Sequence, residues 1–184
     1  MSQIYVDGTT NLSTYSAMSE GTRLNNAALF ASNSGNLVQA EHLHKEAIKV
    51  KEAGLGNNHT STAISYNALG EVYIKLKRLD EAEDYLKRAL AVRGEDGPTL
   101  DAAVTRDNLG RVYEMKGDFA KANQIRRRSD KTKMVCSNYD CPKANELFRF
   151  NQLRKCSRCQ CVYYCSQACQ RVDWARHKEY CKTL

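Results

Sequence analysis

The sequence predicts a mostly α chain in two parts: a helical-hairpin solenoid of about three repeats over residues 20–132, then a small cysteine-rich module over residues 133–184, with a segment 1–19 ahead of both. Three observations carry this. A pattern of about 25 residues returns at an offset of 40, the mark of stacked repeats. All eight cysteines fall after residue 135. Charge divides near the same place: residues 1–120 hold 13 basic and 16 acidic side chains, residues 121–184 hold 15 and 5.

The repeat is visible when YNALGEVYIKLKRLDEAEDYLKRAL (66–90) is set against RDNLGRVYEMKGDFAKANQIRRRSD (106–130). Leu69-Gly70 matches Leu109-Gly110, Tyr73 matches Tyr113, Leu79 matches Phe119 and Ala82 matches Ala122. A weaker copy, LNNAALFASNSGNLVQAEHLHKEAI (24–48), precedes them at an offset of 42. Each unit carries two apolar runs at helical spacing, such as Leu69, Val72, Tyr73 and Leu76, then Leu79, Ala82, Leu86, Ala89 and Leu90. Helices are therefore expected near 20–32, 36–52, 60–76, 79–92, 99–115 and 118–132. Gly54 and Gly56 suit a helix stop, and Pro98 suits the first turn of the next helix. The third unit departs from its siblings. Arg126, Arg127, Arg128 and Ser129 stand where its second helix should be apolar, so that copy is expected to be truncated or capped by something else.

These residues resemble the tetratricopeptide repeat, and the spacing with LGNNHTSTA is most similar to the long-linker variant of kinesin light chains. The resemblance implies a concave peptide-binding groove in which Asn25, Asn67 and Asn108 hold a peptide backbone, set against the plainer reading of a scaffold with solvated asparagines. His42 and His44 lie two apart and share no helical face, and with His59 they read as surface histidines.

The cysteines come in pairs at chelate spacing: Cys136/Cys141, Cys156/Cys159, Cys165/Cys169 and His177/Cys181. No secretory leader precedes them and no run is apolar enough for a membrane span, so a reducing cytoplasmic or nuclear setting is expected. There cysteines bind metal rather than form disulfides. Tetrahedral thiolate and imidazole ligation is what Zn²⁺ prefers, and closed four-ligand sites are structural. Eight cysteines and His177 make nine candidates, and two sites use eight. Cys161 breaks the pairing and is read as the non-ligand. Cys165/Cys169 and His177/Cys181 each fall on one helical face, Ser166 is placed to cap a helix from Gln167, and Val162-Tyr163-Tyr164 reads as a short strand. Spacing alone leaves open whether the pairs combine consecutively or interleave.

The stretch KCSRCQCVYYCSQACQRVDWARHKEYC (155–181) resembles a MYND-type zinc finger, with Cys136-x4-Cys141 wider than the usual first pair. The resemblance implies a two-zinc finger with interleaved ligation: Cys136, Cys141, Cys165 and Cys169 on one Zn²⁺, and Cys156, Cys159, His177 and Cys181 on the other. It further implies recognition of short proline-containing peptides beside the Val162–Cys165 strand, an edge-strand mode, with Gln170 and Trp174 as contacts; core packing is the competing role for Trp174.

The expected function is a non-catalytic zinc-binding adaptor for peptide motifs. Two other classes compete with this one. The basic run Arg126-Arg127-Arg128, Lys131 and Lys133 can neutralise phosphates or mark a nuclear protein, but no base-reading or stacking pattern accompanies it. MYND fingers also occur in SET-type lysine methyltransferases. This sequence runs only three residues past Cys181 and shows no methyl-donor motif, and fully ligated zinc sites lack the open position that catalysis needs.

Overall fold

The computed structural model describes residues 8–94, 99–128 and 132–183, with side chains from Ser13 onward. Three antiparallel hairpins stack in order: α1 (Gly8–Asn33) with α2 (Leu37–Leu55), α3 (Thr60–Lys75) with α4 (Leu79–Arg93), and α5 (Leu100–Met115) with α6 (Phe119–Arg127). A finger follows, with a 3₁₀ turn at Phe150–Gln152, strands β1 (Arg154–Lys155) and β2 (Tyr163–Tyr164) paired antiparallel, and α7 (Gln167–His177).

The helix starts follow local chemistry. Asn36, His59, Thr99, Asp118 and Ser166 each accept a backbone N–H from the first turn of the helix they precede. The hairpin turns share one backbone device. Gly35, Lys77 and Gly117 occupy equivalent places with φ of 80°, 59° and 80°. Close helix approach explains the repeated glycine inside the hairpins. A Cβ on Gly70 would lie 2.7 Å from Leu86 Cγ, and one on Gly110 would lie 2.7 Å from Arg126 Cγ.

Several expectations change. The first helix begins at Gly8 rather than near residue 20, so residues 8–19 extend the first hairpin instead of forming a separate segment. Gly56, with φ 87°, ends α2, whereas Gly54 lies within that helix and its missing Cβ makes room for Ala17. The last repeat helix stops at Arg127, short of the expected 132. His44 is buried rather than superficial, its ring 3.0 Å from Asn25 Oδ1, and His59 is a helix cap. Pro98, Ser129 and Lys131 lie outside the described residues.

The core is continuous. Leu69, Leu86, Leu90, Leu109, Val112 and Tyr113 from the repeats belong to the same buried cluster as Phe148, Cys156, Cys161, Val162 and Tyr164 from the finger. The finger therefore packs against the end of the solenoid where a fourth hairpin would otherwise stand, and this is what caps the irregular third repeat.

Candidate metal centre

The cysteines and the one finger histidine gather into two quartets, Cys136/Cys141/Cys165/Cys169 and Cys156/Cys159/His177/Cys181, with all ligand atoms in each within 4.8 Å of one another. In the first, Cys141 Sγ lies 3.5 Å from Cys165 Sγ and 3.7 Å from Cys169 Sγ, and Cys165 Sγ lies 3.5 Å from Cys169 Sγ. In the second, Cys156 Sγ is 3.7 Å from Cys181 Sγ, and His177 Nε2 is 3.5 Å from Cys159 Sγ. A tetrahedral ion with metal–sulfur bonds of about 2.3 Å spaces its sulfurs about 3.8 Å apart. The quartets have that spacing, and their cysteines are free rather than disulfide-bonded. The donor set thus fits Zn²⁺ in both places.

The pairs interleave, as the finger resemblance implies and as spacing alone left open. The interleaving arises because β2 and the start of α7 bring Cys165 and Cys169 back against the Cys136–Cys141 loop, while the end of α7 returns His177 and Cys181 to the Cys156–Cys159 turn. Ser166 caps α7, accepting from Cys169 N at 3.1 Å, with Cys165 just ahead of the cap and Cys181 past the helix end, so each pair joins one helical ligand to one outside the helix rather than two on one helical face. Cys161 lies outside both quartets. Its Sγ is 3.6 Å from Cys159 Sγ, and the residue is buried in the core shared with the repeats.

Burial pushes the Cys136 thiol up, and likewise takes Cys141 to about 11 and Cys181 to about 12. Cys159 is drawn down to about 3, first by the hydrogen bond from the Cys161 thiol and then by His177, with burial opposing. The raised thiols of Cys136, Cys141 and Cys181 hold their protons until a cation arrives, so metal binding releases protons there.

The joint between the last repeat and the finger was not foreseen in detail. Arg126 is 2% exposed and donates three ways: Nε to Asp107 Oδ1 (2.8 Å), Nη1 to the Cys161 carbonyl (2.8 Å) and Nη2 to Glu114 Oε2 (3.1 Å). Glu114 Oε1 accepts from Arg176 Nη1 (3.1 Å) and from His177 Nδ1 (2.6 Å). Burial raises the Glu114 carboxyl, but the His177 hydrogen bond and the charges of Arg126 and Arg176 outweigh it and hold the group well below the usual carboxylate range. Arg111 donates to the Ser137 carbonyl at 2.8 Å and lies 3.5 Å under the Tyr139 ring, while Ser137 Oγ donates to Asp107 at 2.6 Å. Arg106 donates to the Lys133 carbonyl at 2.9 Å.

The 40-residue offset carried a signal for these residues. Tyr66, Asn67, Glu71, Ile74 and Leu86 become Arg106, Asp107, Arg111, Glu114 and Arg126. At four of these places a charge replaces a neutral or apolar side chain, and at the fifth, Glu71 to Arg111, the charge changes sign.

The expected asparagine clamps are engaged inside the protein. Asn25 Nδ2 donates to Ser65 Oγ at 2.8 Å. The side-chain amides of Asn67 and Asn108 both donate to Glu71 Oε1 at 2.7 Å, and Tyr139 of the finger donates to Asn108 Oδ1 at 3.1 Å. Asn108 also sits one residue past the position that repeats Asn67, which Asp107 holds. Their amides are engaged in these bonds, and Asn108 also lines a cavity of about 170 Å³ with Glu71, Asp107, Arg111 and Tyr139. Two members of the basic run are likewise engaged: Arg126 is buried and Arg127 lies 4.1 Å over the Phe150 ring.

Gln170 and Trp174 do share a feature. With Ser157, Arg158, Gln167 and Arg171 they line a surface cavity of about 400 Å³ whose floor includes the ligand Cys156. Trp174 is 37% exposed and its ring meets His177 edge-on at 5.8 Å, so it is neither fully core nor fully free. The edge-strand expectation changes. β2 pairs with β1 on one side, and on the other Ser137 N donates to the Tyr163 carbonyl at 2.8 Å. An added strand would have to pair with β1, whose two residues are exposed.

Fold and site together define a helical-repeat protein closed by a metal-binding finger. The tetratricopeptide repeat family matches residues 21–95 and 75–129, and the MYND finger family matches residues 134–181. The chain belongs to the tetratricopeptide repeat family and carries a MYND finger after its repeats. MYND fingers bind zinc, and both kinds of domain mediate protein–protein interactions. The chain is 44% identical over 82 residues to the MYND-type zinc finger protein samB of Emericella nidulans, covering 45% of this chain and 11% of that one. It is 49% identical over 37 residues to the Histone-lysine N-methyltransferase ASHR1 of Arabidopsis thaliana, covering 20% of this chain and 8% of that one; the match to methyltransferases lies in the finger region alone. The chain thus spans about a tenth of the length of these curated relatives. Among solved structures, BtubC (BKLC) from P. vanneervenii superposes with a TM-score of 0.55 at 33% identity, covering 59% of this chain and 44% of that one. No described helix is long and apolar enough to cross a membrane.

Proposed function

We propose that the chain is a non-catalytic adaptor that holds two Zn²⁺ and takes a short proline-containing peptide in the cavity lined by Gln170 and Trp174. The observation that carries this is the cavity itself. A half-exposed indole stands beside amide side chains (Gln167, Gln170) and two guanidinium groups (Arg158, Arg171), over a floor fixed by a metal ligand. Aromatic walls suit the flat, preformed face of a proline-rich segment, and the amides can bond its carbonyls. The quartets are closed by protein ligands, which supports a structural role for the metal. A cytoplasmic or nuclear site of action accords with a chain that needs reduced cysteines.

Trp174 is the only tryptophan, so its emission reports directly on the cavity. Titration of the zinc-loaded chain with proline-containing peptides is expected to change that emission saturably, and Gln170→Ala is expected to weaken binding. Equal binding of each peptide and its proline-to-alanine counterpart would sink the reading.

A further inference from the structure

The second quartet receives a contact from outside the finger. His177 Nδ1 lies 2.6 Å from Glu114 Oε1, across 63 residues of sequence, and both side chains are fully buried. A carboxylate can only accept, so Nδ1 donates, which leaves Nε2, the nitrogen that faces Cys159 within the quartet, as the one that would bind the metal. Metal-ligating histidines are oriented by such an outer acceptor, which sets both tautomer and basicity. The carboxylate is itself held by Arg126 of α6 and Arg176 of α7. In the preceding repeat the equivalent position is Ile74, a buried apolar residue that makes no such contact possible. The ligand sulfurs of the first quartet take their N–H contacts from the finger, from Lys143 on Cys141 (3.3 Å) and from Cys165 on Cys136 (3.5 Å).

We infer that Glu114, supplied by the last tetratricopeptide repeat, is the positioning carboxylate of the Cys156/Cys159/His177/Cys181 site, so that metal retention at this one site depends on the docked solenoid. Linkage makes the dependence mutual: metal in this site holds the finger onto α5 as firmly as the docked repeat holds the metal. At the first site α5 reaches the loop between the ligands, through Ser137 and Tyr139, and bonds none of the ligand atoms themselves. The inference rests on the zinc reading above.

The test uses the full chain loaded with zinc and titrated with a chromophoric chelator. The wild type should release two zinc ions per chain. Glu114→Gln, whose amide oxygen can still accept from Nδ1, should release one of the two more readily and leave the other unchanged, and Glu114→Ala should do so more strongly, with a loss of about 10- to 100-fold in affinity. The imidazole ¹⁵N spectrum of His177 should show a slowly exchanging Nδ1 proton in the wild type that Glu114→Ala removes. Asn123→Ala provides the comparison, because Asn123 bonds the Tyr163 hydroxyl across the same joint without touching the quartet's ligands; it should leave the His177 Nδ1 proton in place and loosen the second zinc less than Glu114→Gln does. Wild-type retention of both ions in Glu114→Gln would overturn the inference, as would equal weakening of both or the same selective loss in Asn123→Ala. If Glu114→Ala does not fold, Glu114→Gln alone decides. Fewer than two zinc ions in the wild type would instead overturn the metal reading, and the inference with it.

Discussion

The second and third repeats share a backbone frame and differ in what they are prepared to meet. In the second, Gly70 admits Leu86, Ile74 is buried apolar surface, and the hairpin packs onto another helix pair. In the third, Gly110 admits Arg126 with the same clearance, Glu114 replaces Ile74, and the hairpin receives a zinc finger. The apolar joint is held by non-directional burial. The polar joint is held by buried charges that must each find a partner at a fixed place. Buried ion pairs seldom add net stability over well-packed apolar groups. What they supply here is selection: an ordinary helix pair would leave Arg126, Asp107 and Glu114 without the Cys161 carbonyl, Ser137 and His177.

Metal removal should separate the two joints most completely. Structural zinc contributes on the order of 10 kcal/mol to folding in finger peptides. Chelation should unfold the finger, shift Trp174 emission and expose the α5–α6 hairpin to hydrogen exchange, while α3 and α4 keep their protection. Cys165→Ser combined with Cys169→Ser should halve the zinc content. Loss of protection throughout α1–α4 would show that the apolar joint depends on the metal as well.

The next largest effect should come from Arg126. Arg126→Ala strands Glu114 and Asp107 in the interior, and breaking a buried pair from one side costs about 3–5 kcal/mol. Arg126→Leu together with Glu114→Ile rebuilds the side chains of the second repeat. This double variant should lose less solenoid stability than either single variant, yet release the finger. Chemical denaturation of all four forms gives the coupling energy, and a coupling near zero would mean that the two residues act independently.

Much of this was legible in sequence because it is local. Helix periods, caps such as Asn36 and Ser166, and chelate spacings are all written within a few residues, and the exclusion of Cys161 followed from pairing alone. The joint was not, since Glu114 and His177 meet only after the whole finger has folded back on α5. The offset comparison showed that Arg126 was out of place but could not say what would receive it. The partners of the asparagines were hidden for a related reason: Glu71, one turn from Asn67 in α3, takes the amide of Asn108 from α5 as well. The early start of α1 did have a signal in the sequence, Asp7 just before Gly8, a favoured capping residue type that the weak apolar periodicity after it did not reinforce.

Between the second and third repeats the polar contacts are of another kind, and pH distinguishes them. Glu83 accepts from Lys116 and Tyr113 at 2.6 Å and pairs with Lys87. Burial opposes ionisation, but these three partners prevail and take the carboxyl down to about 2. The folded-state value lies below the unfolded one, so the stabilisation is complete above about pH 4.5 and is lost as pH falls towards 2. Solvent screening limits it to about 1 kcal/mol. Hydrogen exchange of α4 should show this slope in the wild type and lose it in Glu83→Gln; an unchanged slope would assign it to other groups.

The smallest effect lies in the hairpin turns, where the second repeat is the exception. Gly35 and Gly117 take positive φ without a Cβ, whereas Lys77 does so at 59° with one. A left-handed residue with a Cβ costs roughly 1–2 kcal/mol, part of which Gly would return as unfolded-state entropy. Lys77→Gly should therefore stabilise the second hairpin by about 0.5 kcal/mol, read as a raised thermal midpoint of the zinc-loaded chain. Gly117→Lys, the reverse change in the third hairpin, should cost more than Lys77→Gly gains, because its turn sets the angle at which α6 delivers Arg126 to the finger. Equal and opposite shifts would mean that the third hairpin tolerates strain as the second does, and that the polar joint does not require its turn to be relaxed.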